Sequence, residues 1–381
     1  MYTIKQIVNK GSQRLKNTSV NLTEKLFYSK KASNTNTDII ILRLDGIGDY
    51  VLFRNFIEEV HNTTKGKLVL CGNIIWKELA EKLDGKFISE FIWVDVPMLG
   101  NDKYRYSIYK KLQQTGCNIL LHPVYSRTAD ADKLAIHSGA KEIIGYNGDT
   151  VNISQKNKTR NNYKYTDLLQ PSEKYLFEFY RNKYFFDNIL EIKLEIKKPA
   201  IQHSEKPESE KNKYIIIFPG AGHEKRRWPA EYFAKLCKVV NEVYKLPVLI
   251  CGSKSDTEIA SKIIASGSVN IQDCTGKVNL YETSELIQRA ALIIANDSGP
   301  MHISVALSIP TICISNGNNY GRFCPYPKEM AMSLSVVLPD EFENMINDNN
   351  TADKLFGEES DINMNLIKPG KVFQTVKQIL R

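Results

Sequence analysis

The sequence lacks any apolar run long enough to cross a bilayer. Its longest, IIIL at Ile39 and AALIIA at Ala290, fall far short of the roughly 20 residues a spanning helix needs. It also lacks a secretory opening. MYTIKQIVNKGSQRLKNTSV carries positive charge but no apolar core and no small-residue cleavage site, so the expected location is the cytoplasm. Cysteine is sparse: seven residues, odd in number and widely spaced, with no C-x-x-C pair. This argues against a disulfide framework and against a zinc site, and predicts reduced, mostly buried thiols. Three ligand loops are missing as well: G-x-x-x-x-G-K-[ST], G-x-S-x-G and G-x-G-x-x-G. The ATPase, hydrolase and dinucleotide-binding readings lose their main support with them. The net charge of +8 favours acidic partners, but the Lys and Arg residues are scattered and no aromatic-interleaved basic stripe exists, so nucleic acid is not an expected partner.

What is present is alternation. A chain of 381 residues exceeds what one core usually supports, which predicts two domains. From Asp38, β-rich runs (DIIILRL, KLVLC, FIWVDV, NILLHP) alternate with amphipathic helical stretches beginning near Asp49, Asn73, Asp102 and Thr128. A long helical pattern, SEKYLFEFYRNKYFFDNIL, follows. The polar stretch KKPAIQHSEKPESEKNK then reads as a linker, after which YIIIFPG, LPVLICG, ALIIAND and PTICIS restart the alternation. The expected organisation is a basic N-terminal arm at 1–37, an α/β domain at 38–197, a linker at 198–213, a second α/β domain at 214–365 and a closing helix at 366–381. Two such domains enclose a cleft, and ligands of open α/β sheets bind beyond the carboxyl ends of the strands.

Three strand-to-helix corners carry the chemistry. In LDGIGDYVL, glycines at 46 and 48 permit close backbone approach, and Asp49 opens a helix as either an N-cap or a functional carboxylate. In FPGAGHEKRRWPAEYF, a small-residue turn (Pro219, Gly220, Ala221, Gly222) precedes Lys225, Arg226 and Arg227. A phosphate fits there, although three consecutive cations are more often a solvated loop. In IIANDSGPMHISVAL, a buried strand ends at Asn296-Asp297-Ser298-Gly299 and Pro300 takes the first helical position. His302 lies on the first turn, so the helix start suits a diphosphate or is merely well capped. The aspartates of ADADK, Asp130 and Asp132, read as caps and surface charge rather than a metal pair.

In order, these motifs resemble glycosyltransferase family 9, the ADP-heptose:lipopolysaccharide heptosyltransferase family. ILRLDGIGDYVL is similar to its opening R-x-x-x-(L/I)-G-D, FPGAGHEKRRWP to its P-G-A-S and K-R-W-P, and NDSGPMHISVAL to its most specific stretch. HPVYSRTADADKLAIHSGAKEIIGY and KPGKVFQTVKQIL resemble two further segments. The chain departs from the pattern in having Arg226 where the family has lysine, and LHPVYS where it has an acidic segment. The resemblance implies a GT-B fold of two Rossmann-like α/β domains, with the acceptor on the first and a nucleotide sugar on the second. It implies an inverting transfer with no metal and no cofactor. Asp49 is then the catalytic base. Gly220, Ala221, Arg226, Asp297, Ser298, Gly299, Pro300, Met301 and His302 bind the donor, with Glu258, or alternatively Asp256, on the ribose. Gly48 and Arg127 face the acceptor. The implied partners are an ADP-heptose-like donor and a lipid-linked or polysaccharide acceptor, with peripheral contact of the basic arm at the inner membrane. A UDP- or GDP-activated donor, or a silent nucleotide-sugar-binding module, is the alternative.

Overall fold

A computed structural model describes residues 39–380 apart from 172, 174–175, 205–208, 210, 266–269, 331–332 and 349–351. The expected N-terminal arm lies outside the described residues. The chain forms two compact units. Among the described residues, the first holds 39–46, 53–173 and 179–196; the second holds 47–52, 176–178 and 197–380. The corner carrying Gly48 and Asp49 therefore belongs with the second unit, although the chain around it belongs to the first.

The first sheet comprises β1 (Ile39–Arg43), β2 (Leu68–Asn73), β3 (Glu90–Val94), β4 (Ile119–His122), β5 (Glu142–Tyr146) and β6 (Asp167–Leu169), in the order β3-β2-β1-β4-β5-β6. The second comprises β7 (Tyr214–Phe218), β8 (Val248–Ile250), β9 (Ile271–Asp273), β10 (Ala290–Asn296), β11 (Thr311–Ile314) and β12 (Leu334–Val337), in the order β12-β11-β10-β7-β8-β9. Read from its β9 edge, the second sheet repeats the permutation of the first. Neighbouring strands in both sheets pair in parallel. Parallel sheets carry helices on both faces, which is why β1, β4, β10 and β11 are buried at every position and are apolar but for one terminal residue each, Arg43, His122, Asn296 and Thr311. Strand order reverses between β1 and β4 and between β7 and β10. In open α/β sheets the crevice outside the carboxyl ends at such a reversal is where ligands bind.

The sequence pattern does not reveal β5, β6, β9 or β12. Three of these are edge strands of three or four residues (DLL, IQD, LSVV), too short and mixed for a period to register. The polar linker is also less loose than its composition suggests. Ile201 is buried and donates its amide to the Ala306 carbonyl, while His203 shares a 2.8 Å hydrogen bond with Ser284. The closing helix, Pro369–Ile379, places Val372 and Val376 in the core of the second unit beside Ile215 and Leu236.

Candidate active site

Asp49 is the third residue of helix Ile47–Phe53, so it stands inside the first turn and is not the residue that caps it. The capping account of this carboxylate is thereby corrected. A first-turn aspartate interacts favourably with the positive end of the helix, but it does not close the helix as an N-cap does. The corner packs against the start of helix Gly299–Ala306. A Cβ built on Gly48 would come within 2.5 Å of His302 Cδ2 and 2.9 Å of its Nε2, and one on Gly299 within 2.7 Å of Ile47 Cβ. Both glycines are thus required by close approach, and together they set Asp49 one residue from the contact with His302.

Asn296 ties the other two corners together. Its Oδ1 accepts from the Trp228 amide at 3.0 Å and its Nδ2 donates to the Pro219 carbonyl at 2.7 Å, all in the interior. Trp228 itself is buried and donates its indole N–H to the Ile367 carbonyl at 2.7 Å. The carboxyl ends of β7 and β10, adjacent at the reversal of strand order, are thereby fixed to each other. Gly220 and Gly252 lie against the Asp256 carboxylate, which accepts from the Ser253 amide and hydroxyl, both at 2.8 Å. Asp256 is accordingly engaged in closing its own turn. Glu258 projects from the helix surface and pairs with Lys262 at 2.8 Å.

Arg226 sits beside Gly222, whose added Cβ would stand 3.2 Å from the guanidinium, and its charge reaches Asp297. Burial lifts the Asp297 carboxyl to about 6, against the pull of Arg226 and of a hydrogen bond from Ser315. Arg227 donates to the Ala221 carbonyl at 3.1 Å, and Lys225 pairs with Asp361 at the surface. At the third corner Gly299, not Pro300, is the first helical residue, and Ser298 is the cap without a side-chain capping bond. Its hydroxyl instead donates to the Asn296 carbonyl. Pro300 has no amide hydrogen and Met301 gives its own to the Ser298 carbonyl, which narrows the amide cradle expected at this helix start. His302 is buried, its ring shares a 2.8 Å hydrogen bond with the Tyr326 hydroxyl, and burial lowers it to about 4, so it is neutral at neutral pH. In the sequence Asn296 marks only the end of a strand and nothing local marks Tyr326, so neither role is visible there.

Arg127, expected at the acceptor, is buried among partners of its own unit. Its side chain is 1% exposed, bonded to Asn162, 3.5 Å from an Asp132 oxygen and laid over the Tyr165 ring. Asp132, read from the sequence as surface charge, is buried too. It accepts from the Tyr165 hydroxyl at 2.8 Å and from Asn161 at 3.0 Å, and burial raises its carboxyl above the ordinary value. His122 completes the set through Tyr165 at 2.7 Å, and burial and the nearby Arg127 and Arg43 charges push its imidazole down. Desolvation explains why these groups bond to one another: an ion left unpaired in the interior is costly.

Two Rossmann-like α/β units of one strand order make up the GT-B fold, and solved structures share it. A glycosyl transferase family 9 protein from Veillonella parvula superposes with a TM-score of 0.67 at 16% identity, over 92% of this chain and 98% of that one. The E. coli heptosyltransferase WaaC, solved with ADP-2-deoxy-2-fluoro heptose, superposes with a TM-score of 0.68 at 12% identity, over 90% and 99%. Residues 139–344, more than half the chain, match the profile of glycosyltransferase family 9 (heptosyltransferase), and the chain belongs to that family. Among characterised relatives, Campylobacter jejuni lipooligosaccharide heptosyltransferase 2 is 26% identical over 189 residues, 45% of this chain and 60% of the relative. Campylobacter coli lipopolysaccharide heptosyltransferase 1 is 32% identical over 148 residues, 36% and 43% respectively. The chain thus matches 60% or less of the length of these relatives.

Proposed function

We propose that this protein is an inverting glycosyltransferase that moves a heptose-like sugar from an ADP-activated donor to a lipopolysaccharide-type acceptor. The observation that carries this reading is the packing of Gly48 on His302. It brings the backbone one residue before Asp49 against the helix that follows Asp297, which supports reading the base and the donor cradle as parts of one site. In the transfer, Asp49 takes the proton of the acceptor hydroxyl as its oxygen attacks the anomeric carbon. The bond from that carbon to the donor diphosphate breaks, through an oxocarbenium-like transition state. Arg226, Ser298 and Gly299 stabilise the charge gathering on the leaving diphosphate, with Gly220, Ala221, Pro300 and Met301 shaping the surface around it. Asp297 holds the donor loop, and Glu258 remains the carboxylate proposed for the ribose. The relatives named above act in lipopolysaccharide and lipooligosaccharide assembly, and one is known with an ADP-sugar analogue. Among the described residues no helix is long and apolar enough to cross a membrane, so a lipid-borne acceptor is proposed to be met peripherally, with the basic arm as the contact.

The test is a thermal-shift panel of ADP, UDP, GDP and CDP followed by transfer assays with ADP-heptose. The largest stabilisation is expected with ADP, since a ligand binding only the folded state raises its stability. A larger shift with UDP or GDP would replace the donor, and the absence of transfer with every nucleotide sugar would leave only a binding module.

A further inference from the structure

Three side chains, none of which makes or breaks a bond in the proposed transfer, meet at the Asp297 corner. Cys313 lies on β11, Cys324 eleven residues further on, and their sulfurs are 3.7 Å apart. One oxygen of Asp297 lies within 4.8 Å of both. All three are buried, with Cys313 at 0%, Cys324 at 3% and Asp297 at 6% exposure. Two thiolates bound to one zinc ion at about 2.3 Å in tetrahedral geometry stand about 3.8 Å apart, which is the separation already present here. The matching oxygen–sulfur edge is about 3.5 Å, so the carboxylate has at most about 1.3 Å to close. Two sulfurs with one carboxylate suit a borderline-soft divalent ion. Magnesium and calcium, which take oxygen ligands throughout, fit poorly.

The geometry points to a zinc-class metal site formed by Asp297, Cys313 and Cys324. Binding releases the two thiol protons to solvent, and three anionic ligands around one dication leave a single negative charge, which Arg226 is placed to offset. The fourth position goes to solvent. Such an ion ties the end of β10 to β11 and to the loop at Cys324, stiffening the floor beneath Ser298–His302. Tyr326, two residues beyond Cys324, passes that constraint to His302 through their hydrogen bond. Asp297 is shared with the proposed donor loop, but metal binding is read without any sugar donor, so its test stands whatever the sugar assays return.

The test is titration of the reduced full-length protein with Co(II), then Zn(II). One equivalent of cobalt is expected to give an intense thiolate-to-metal absorption that one equivalent of zinc removes, and zinc should raise the melting temperature by several degrees. Cys313→Ala and Cys324→Ala should each abolish the band, and Asp297→Asn should weaken affinity by about tenfold or more. Cys251→Ala with Cys274→Ala, which removes the other hydrogen-bonded thiol pair of this unit, should leave the band in place. Two outcomes overturn the proposal: no band at one equivalent, or a band that survives loss of Cys313 and Cys324. Should the alanine variants fail to fold, an alkylation pulse on the wild type in sub-denaturing urea decides. Zinc must shield Cys313 and Cys324, and equal labelling with and without zinc overturns the site.

Discussion

At the carboxyl ends of the first sheet, His122, Arg127, Asp132 and Tyr165 bond to one another and are hidden from solvent. At the same ends of the second sheet the strand exits are glycine corners. There the carboxylate of Asp297 is balanced by the partly exposed Arg226, and a helix begins without a side-chain cap. The strand order is one and the same. Topology therefore positions both sets of corners, while residue chemistry decides which set is closed upon itself and which can receive an anion. In the first unit these charges are paired in the interior; in the second, Arg226 is left partly exposed, as the proposed anion site needs.

Four substitutions would break or sharpen that contrast. The largest effect is expected at Asp49. Asp49→Asn should cut transfer roughly a thousandfold, the contribution of a positioned base, with little change in melting. Near-normal turnover would remove the base from the scheme. Next, Arg127→Met should destabilise the protein by roughly 3 kcal/mol in urea unfolding, because Asp132 loses a buried countercharge. Nucleotide affinity should be unaffected, and a selective loss of acceptor binding with stability intact would restore Arg127 as a ligand contact.

The third concerns His302, which titrates near 4 when folded against an ordinary 6.5. Between those values the unfolded chain holds the extra proton. Its contribution to stability is therefore complete above about pH 6.5 and is lost as pH falls toward 4, by about 3 kcal/mol at 1.36 kcal/mol per unit. His302→Gln should flatten the acid limb of the stability curve by that difference, and a parallel curve would mean that His302 is solvated. The smallest effect is expected from Arg226→Gln. Nucleotide affinity should weaken about ten- to a hundredfold, as for loss of a charged hydrogen bond, while the free protein loses no more than about 1 kcal/mol. If Arg226 costs stability and spares affinity, the two units are alike after all.

Much of the fold was legible because a strand buried on both faces must be apolar along nearly its whole length. β1, β4, β10 and β11 are visible for that reason, as are the glycine corners that follow β1, β7 and β10. The short edge strands were not, since three residues carry no measurable period. Site residues divide in the same way. Asp49, Arg226 and His302 lie within motifs whose spacing signals a helix start or an anion loop. The burial of Arg127 was not legible because a lone arginine in a motif looks the same whether it faces a ligand or a buried aspartate, and Asp132, its partner, looked like surface charge. Tyr326 and the pairing of Cys313 with Cys324 left no local mark at all.

The sequence by itself determined the two α/β units, the corners at their strand ends and the family to which the chain belongs, since those follow from periodicity and contiguous motifs. Only the tertiary structure decided that Gly48 meets His302, that Asn296 joins two corners, that Arg127 is closed off and that Asp297, Cys313 and Cys324 converge. Parallel strands bring their carboxyl ends together only through long crossovers, so residues far apart in the chain become neighbours there and spacing along the sequence carries no trace of it.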